Sequence, residues 1–121
     1  MKKILIVEDD KLLIKALSAK LEEEKFKVFK AYDGEEGLES AKKNKPDLIL
    51  LDINMPKMNG LTMLKEMRET NWGADMVVMV LTNYNEKEKV SEALSQYVYR
   101  FLVKSDWDLD QIVAEIKKKL A

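Results

Sequence analysis

The sequence predicts an alternating α/β domain, a doubly wound parallel sheet of five strands with helices packed on both faces. Three observations lead there. Five short apolar runs alternate with longer segments whose apolar residues recur at helical spacing. Two of the runs are apolar at every position, as strands covered on both faces are. The gaps between strands and helices are only a few residues, with no Gly/Ser- or Pro-rich linker, low-complexity tract or repeat beyond the alternation itself. Strand followed by helix, five times over, calls for parallel strands joined by right-handed crossovers.

The first strand is residues 4–7 (Ile-Leu-Ile-Val), uninterrupted by any polar side chain. Leu13, Ala16, Leu17 and Leu21 then mark one face of a helix. The second strand, residues 28–31, is a mixed run beginning near Phe26, and the Asp33-Gly34 turn after it introduces a shorter helix with Leu38 and Ala41 inward. Residues 48–51 (Leu-Ile-Leu-Leu) are the third strand, followed by a helix marked by Leu61, Leu64 and Met67. The fourth strand is residues 76–81, its helix marked by Val90, Ala93, Leu94 and Tyr97. Residues 99–103 form the fifth strand, and Leu109, Ile112, Val113, Ile116 and Leu120 mark a last helix that Asp108 is placed to cap.

Composition narrows the chemistry. The 121 residues carry 21 basic and 22 acidic side chains, no cysteine and no histidine, and fit one domain over residues 1–121. A domain of this size buries roughly two-thirds of its unfolded surface and needs no disulfide or structural metal. Without cysteine or histidine the chain has no thiolate nucleophile, Cys/His zinc site, Ser-His-Asp triad or phosphohistidine. What is left is carboxylates, hydroxyls, amines and borrowed ions. A net charge of −1 gives no general attraction to nucleic acid or anionic lipid, and the like-charged runs at 22–24 and 117–119 read as solvated helix faces. Met1-Lys2-Lys3 precedes only four apolar residues before Glu8-Asp9-Asp10, too short a stretch for a secretory signal. No run approaches the ~20 apolar residues of a membrane helix, so no membrane partner and a cytoplasmic location are expected.

Ligands of open α/β sheets bind beyond the carboxyl ends of the strands. Here those ends carry Glu8-Asp9-Asp10, Asp52, Thr82 and Lys104. In the flavodoxin-like strand order 2-1-3-4-5 the first and third strands are neighbours, which sets Asp52 beside Glu8 and Asp9. Neighbouring strands are about 4.8 Å apart, and two carboxylates ~4 Å apart at an effective dielectric near 20 repel by ~4 kcal/mol. The cluster therefore needs a cation or a proton, and an all-oxygen, water-accessible set favours Mg²⁺. Asp10 has a simpler use as the cap of the first helix. Singly, each of these residues has a dull explanation; their conjunction at four strand ends does not.

Ile4-Leu5-Ile6-Val7-Glu8-Asp9-Asp10, Leu50-Leu51-Asp52-Ile53-Asn54-Met55-Pro56-Lys57-Met58-Asn59-Gly60, Val80-Leu81-Thr82 and Phe101-Leu102-Val103-Lys104 resemble, in order and spacing, the response-regulator receiver domain of two-component signalling. The resemblance spans essentially the whole chain and implies roles for individual residues. Asp52 would be the phosphoacceptor, taking a phosphoryl group from a phosphohistidine of a sensor histidine kinase or phosphotransfer protein. Glu8 and Asp9, with Asp52 and the backbone carbonyl of Asn54, would hold Mg²⁺. Lys104 and the Thr82 hydroxyl would contact the phosphoryl oxygens, positioning and neutralising them. Thr82 and Phe101 match the family's switch pair, and the fourth helix, fifth strand and fifth helix its output surface, with Val90, Tyr97, Tyr99 and Trp107 as candidate contacts for a protein target. Such a domain phosphorylates itself and slowly loses the group, without turning over a substrate as an enzyme does. Pro56 fixes one φ in the loop after Asp52, and Gly60 is expected to adopt a backbone conformation closed to other residues.

The chain also departs from the family's pattern. Ser105 stands where receivers carry a proline on a cis bond, and a cis bond to a non-proline residue costs ~2.5–4 kcal/mol. A trans Lys104–Ser105 bond and a different loop path are expected. Asn83 and Tyr84 replace a small residue after Thr82, and Ser95-Gln96-Tyr97-Val98-Tyr99 replaces a Gly-Ala-like segment before the fifth strand. Ser105 and Asn83 keep open an interaction-only receiver. An FMN-binding carrier of the same topology would need a Ser/Thr/Gly phosphate loop where this chain has Glu8-Asp9-Asp10, and a Mg²⁺-dependent phosphohydrolase would need a specificity cap.

Overall fold

The computed structural model describes residues 1–53, 55, 58–83 and 96–121. Strands β1 (Lys3–Val7), β2 (Lys27–Ala31), β3 (Leu48–Asp52), β4 (Val78–Thr82) and β5 (Arg100–Val103) form one sheet in the order β2-β1-β3-β4-β5. Every pairing is parallel. The helices among the described residues are α1 (Lys11–Glu23), α2 (Gly34–Asn44), α3 (Gly60–Arg68) and a C-terminal helix (Leu109–Leu120), with a short 3₁₀ turn at Lys104–Asp106. The expected helix marked by Val90, Ala93 and Leu94 lies outside the described residues, as do Asn54, Pro56 and Tyr84.

Alternation along the strands divides the core into two layers. Leu5, Val7, Ile49, Leu51, Val78 and Val80 face α2 and α3, whereas Ile4, Ile6, Leu48, Leu50, Met79 and Leu81 face α1 and the C-terminal helix. This is why β1, β3 and β4 show no polar alternation in the sequence: both faces are dry. Each helix begins at a side-chain cap. Asp10 Oδ1 accepts from the amides of Leu12 and Leu13 at 3.1 and 3.2 Å, Asp33 from Glu36, and Asn59 from Thr62; Asp108 and Gln111 form a reciprocal capping box. Asp10 thus spends its carboxylate on the helix, as its position suggested.

Two expectations change. The buried stripe of α1 is Ile14, Leu17, Ser18 and Leu21, rotated by about one position from the face read through Leu13 and Ala16, because the polar Ser18 masks the i, i+3, i+4, i+7 pattern. Gly60 does not have positive φ. It is needed for proximity: a Cβ there would lie 2.3 Å from the Asp52 carbonyl oxygen and 2.7 Å from Ile53 Cα.

The chain approaches β5 under an unusual constraint. Tyr97 has φ 57°, the left-handed region, while its side chain is 88% exposed. Its carbonyl accepts a 2.9 Å hydrogen bond from Arg68 Nη2, and Arg68 Nε donates to Gln96 O at 2.8 Å. Nη1 of the same guanidinium donates to Gly73 O, Ala74 O and Met76 O. One side chain thereby satisfies carbonyls from the two segments that lead into β4 and β5. Left-handed backbone costs an L-residue ~1–2 kcal/mol that glycine avoids, so Tyr97→Gly is expected to stabilise the domain by about 0.5–1 kcal/mol in urea unfolding, no ring packing being lost. Arg68→Met, which strands several carbonyls, is expected to cost about 2–4 kcal/mol.

Candidate functional site

The site is built on three adjacent strand ends. Val7 of β1 is in register with Leu51 of β3, so Glu8 and Asp52, the next residues, are side by side, and Asp52 is in register with Leu81 of β4, one residue before Thr82. The Glu8 amide donates to Ala31 O at 3.0 Å, carrying the β1–β2 ladder one step past the strand and holding that backbone firmly. Glu8 and Asp52 are 1% and 2% exposed. Asp9 is exposed at the mouth, and one carboxylate oxygen from each of Glu8, Asp9 and Asp52 lies within 4.8 Å of the others.

Lys104 supplies the charge that makes this cluster tolerable. It leaves the end of β5, passes the end of β4, and brings Nζ to 2.7 Å from Glu8 Oε1 and 3.3 Å from Asp52 Oδ2, to which it donates a hydrogen bond. The Lys104–Ser105 bond is trans, and a 3₁₀ turn over Lys104–Asp106 follows β5 directly. The amine arrives without the family's proline.

Among the described residues one ammonium faces these three carboxylates. Burial, and then the neighbouring Asp52, push the Glu8 carboxyl above its ordinary range in spite of Lys104. Desolvation and Glu8 do the same to Asp9. For Lys104 burial pulls the other way, but the ion pairs with Glu8 and Asp52 win and hold the amine above its usual value. Glu8 Oε1 is buried and, although close to the ammonium, accepts no hydrogen bond of proper angle. An excess of negative charge, oxygen donors only, and a buried oxygen with an unused lone pair fit a small hard cation such as Mg²⁺. Glu8, Asp9 and Asp52 are the side chains that would hold it; the Asn54 carbonyl falls outside the described residues.

Of the other expected residues, Thr82 is 1% exposed, and its hydroxyl donates to Asn83 O at 3.3 Å. Phe101 is half-buried on β5 against the core layer under α2 and α3. On the expected output face, Tyr99 donates its hydroxyl to Glu115 Oε1 at 3.2 Å, with Lys119 Nζ 4.7 Å above its ring, and Arg100 lies 5.3 Å over the ring of Trp107. Burial and Glu115 raise the Tyr99 hydroxyl above its ordinary value. Glu115, which is buried and also pairs with Arg100 at 3.5 Å, was not anticipated. Its place beside Ile112 and Ile116 on the apolar stripe was the available signal.

A doubly wound sheet whose carboxyl edge gathers three acids and a lysine defines a class of phosphoryl- or cation-handling α/β domains. Comparison with known proteins narrows the class. Residues 4–117 match the family model of the response regulator receiver domain. The response regulator ArlR of Staphylococcus saprophyticus is 34% identical over 120 residues, 99% of this chain and 53% of that protein. The transcriptional regulatory protein DltR of Streptococcus agalactiae is 32% identical over 115 residues, 95% of this chain and 50% of that protein. Among solved structures, the chemotaxis response regulator CheY4 of Vibrio cholerae superposes with a TM-score of 0.88 at 28% identity, covering 98% of each chain. A CheY-like receiver domain protein from Methanospirillum hungatei gives 0.90 at 28% identity, covering 99% of this chain and 94% of that one. The chain belongs to the response regulator receiver domain family of two-component signalling, and it spans about half the length of the curated relatives named here.

Two outcomes follow from the charge balance. Lys104→Met removes the internal competitor for the acids, so it is expected to lower metal-free stability in urea while strengthening Mg²⁺ binding measured by calorimetry. Because Glu8 and Asp9 take up protons more readily than ordinary carboxyls, and protonation removes the charge a cation needs, the Mg²⁺ affinity is expected to weaken as the pH falls, starting at a higher pH than an unperturbed Glu and Asp would give.

Proposed function

We propose that this chain is a phosphoacceptor whose Asp52 receives a phosphoryl group from the phosphohistidine of a sensor kinase or phosphotransfer protein in the cytoplasm. The observation that carries the reading is the convergence of Glu8, Asp9 and Asp52 to within 4.8 Å, with the Lys104 amine held by two of them. A carboxylate oxygen of Asp52 attacks phosphorus; a P–O bond forms as the P–N bond breaks, and the electron pair leaves with the imidazole nitrogen. Glu8, Asp9 and Asp52 hold Mg²⁺, which supplies the positive charge that lets an anionic nucleophile meet an anionic phosphoryl group.

The remaining residues work by placement and charge. Lys104 exchanges a carboxylate oxygen for a phosphoryl oxygen, and Thr82 turns its hydroxyl from Asn83 O to another. Movement of Thr82 vacates space beside β5, where Phe101 re-packs; lacking a hydroxyl, Phe101 acts only through apolar contact. The altered face, bounded by β5 and the C-terminal helix, engages a protein target and neither nucleic acid nor membrane. No helix among the described residues is long and apolar enough to cross a membrane. The chemistry is one self-phosphorylation followed by slow loss of the group, so the domain is a switch and not an enzyme.

With Mg²⁺ and acetyl phosphate, wild type is expected to gain one acid-stable, base-labile phosphoryl group, seen as a mass increase and a phosphate-affinity gel shift. Asp52→Asn gains none, and Lys104→Met is slowed by about 10²-fold or more. Labelling of Asp52→Asn at the wild-type rate would refute the assignment.

A further inference from the structure

The four α-helices among the described residues start in the same way, at a side-chain cap, and α2, like α3, then places a glycine at its first position. Nothing in the helix asks for it. Gly34 does not have positive φ, Asp33 already supplies the cap, and glycine costs a helix interior up to about 1 kcal/mol relative to alanine. The demand comes from outside. The Gly34 amide donates a 2.8 Å hydrogen bond to the Met58 carbonyl oxygen, and a Cβ on Gly34 would lie 2.2 Å from that oxygen and 2.8 Å from the Met58 carbonyl carbon.

Met58 belongs to the connection between Asp52 and α3. The other end of that connection is gripped in the same manner, since the Gly60 amide donates to Ile53 O at 3.2 Å and a Cβ on Gly60 would lie 2.3 Å from the Asp52 carbonyl oxygen. Two glycines on two helices thus set the described ends of this connection, Ile53 and Met58, by close backbone contact. We propose that Gly34 is a positioning residue of the cation site: its bare backbone lets α2 brace the Met58 peptide and, through the start of α3, where Gly60 packs on the Asp52 carbonyl, the placement of Asp52 that cation binding requires. The proposal rests on the reading of Glu8, Asp9 and Asp52 as a Mg²⁺ site.

The magnitudes support an effect on the site and not only on stability. To reach even the 3.0 Å lower limit of real Cβ contacts, a methyl on Gly34 must move the Met58 carbonyl away by 0.8 Å. The obstructing atom is backbone, so no rotamer change relieves it. Functional constellations tolerate only about 0.5 Å of displacement. Gly73 provides the comparison, because a Cβ there would meet Met67 O at 2.5 Å, a similar insult at the opposite end of α3 from the acids.

The test is calorimetric titration of Mg²⁺ into wild type, Gly34→Ala and Gly73→Ala, with urea unfolding of each. Gly34→Ala is expected to lose affinity by about tenfold or more, the usual range for groups that orient metal ligands, while Gly73→Ala is destabilised but binds as wild type does. Equal affinity in Gly34→Ala and wild type, or an equal loss in both variants, overturns the proposal. If wild type itself takes no Mg²⁺ at millimolar concentration, the underlying site reading falls, a result distinct from the other two. Should Gly34→Ala fail to fold, hydrogen exchange of the Gly34 amide in wild type decides: slowing on addition of Mg²⁺ supports the brace, and an unchanged rate overturns it.

Discussion

Among the described residues, the fold brings three carboxylates together at the edge of a sheet and sets one ammonium against them. Everything near the site is arranged around that imbalance. Glu8 and Asp52 are buried because their strands run, unbroken and apolar, through the middle of the sheet, and burial raises the energy of leaving them charged and unpaired. Lys104 relieves part of the repulsion from two strands away. The remainder is what a small divalent ion would offset, and with burial it is why Glu8 and Asp9 lean toward protonation while Lys104 leans toward charge.

The scaffold meets this demand with different means on its two sides. Under α1 and the C-terminal helix the sheet is packed by large aliphatic side chains, and the outer seam carries the ion pairs Lys20–Asp110 and Lys117–Glu24. These are solvent-exposed pairs of the kind that set orientation more than stability. Under α2 and α3 close contacts depend on missing atoms: Gly34, Gly37 and Ala41 line the buried face of α2, where Gly34 sits against the Met58 backbone and Gly37 against Met63 and Val7.

Much of this was legible in the sequence, and the reasons are physical. Strands β1, β3 and β4 were readable because two-sided burial leaves continuous apolar runs, and the four-residue edge strand β5 because Phe101, Leu102 and Val103 precede a charged residue. The meeting of Glu8, Asp9, Asp52 and Lys104 at one edge was readable because each follows or ends a strand of the predicted parallel sheet. What escaped was whatever depends on proximity between distant segments. A glycine required by a carbonyl across the fold looks like any turn glycine, as Gly60 and Gly34 did. Arg68, which serves carbonyls on either side of β4, looks like the last charged residue of a helix, and Ser18 hides the true stripe of α1 by being polar and buried.

Lys104 has a mechanical side as well. Its ammonium reaches from the end of β5 past β4 and β3 to Glu8 at the end of β1, so the ion pair acts as a gauge of how β5 is registered on β4. A slip of a single residue along the edge would displace the amine by about 3.3 Å and turn it to the other face of the sheet. The shortest and outermost strand is therefore tethered to the most buried acid by a flexible tie, and anything that grips or loosens that border is felt at the centre of the molecule without any rearrangement of the strands between.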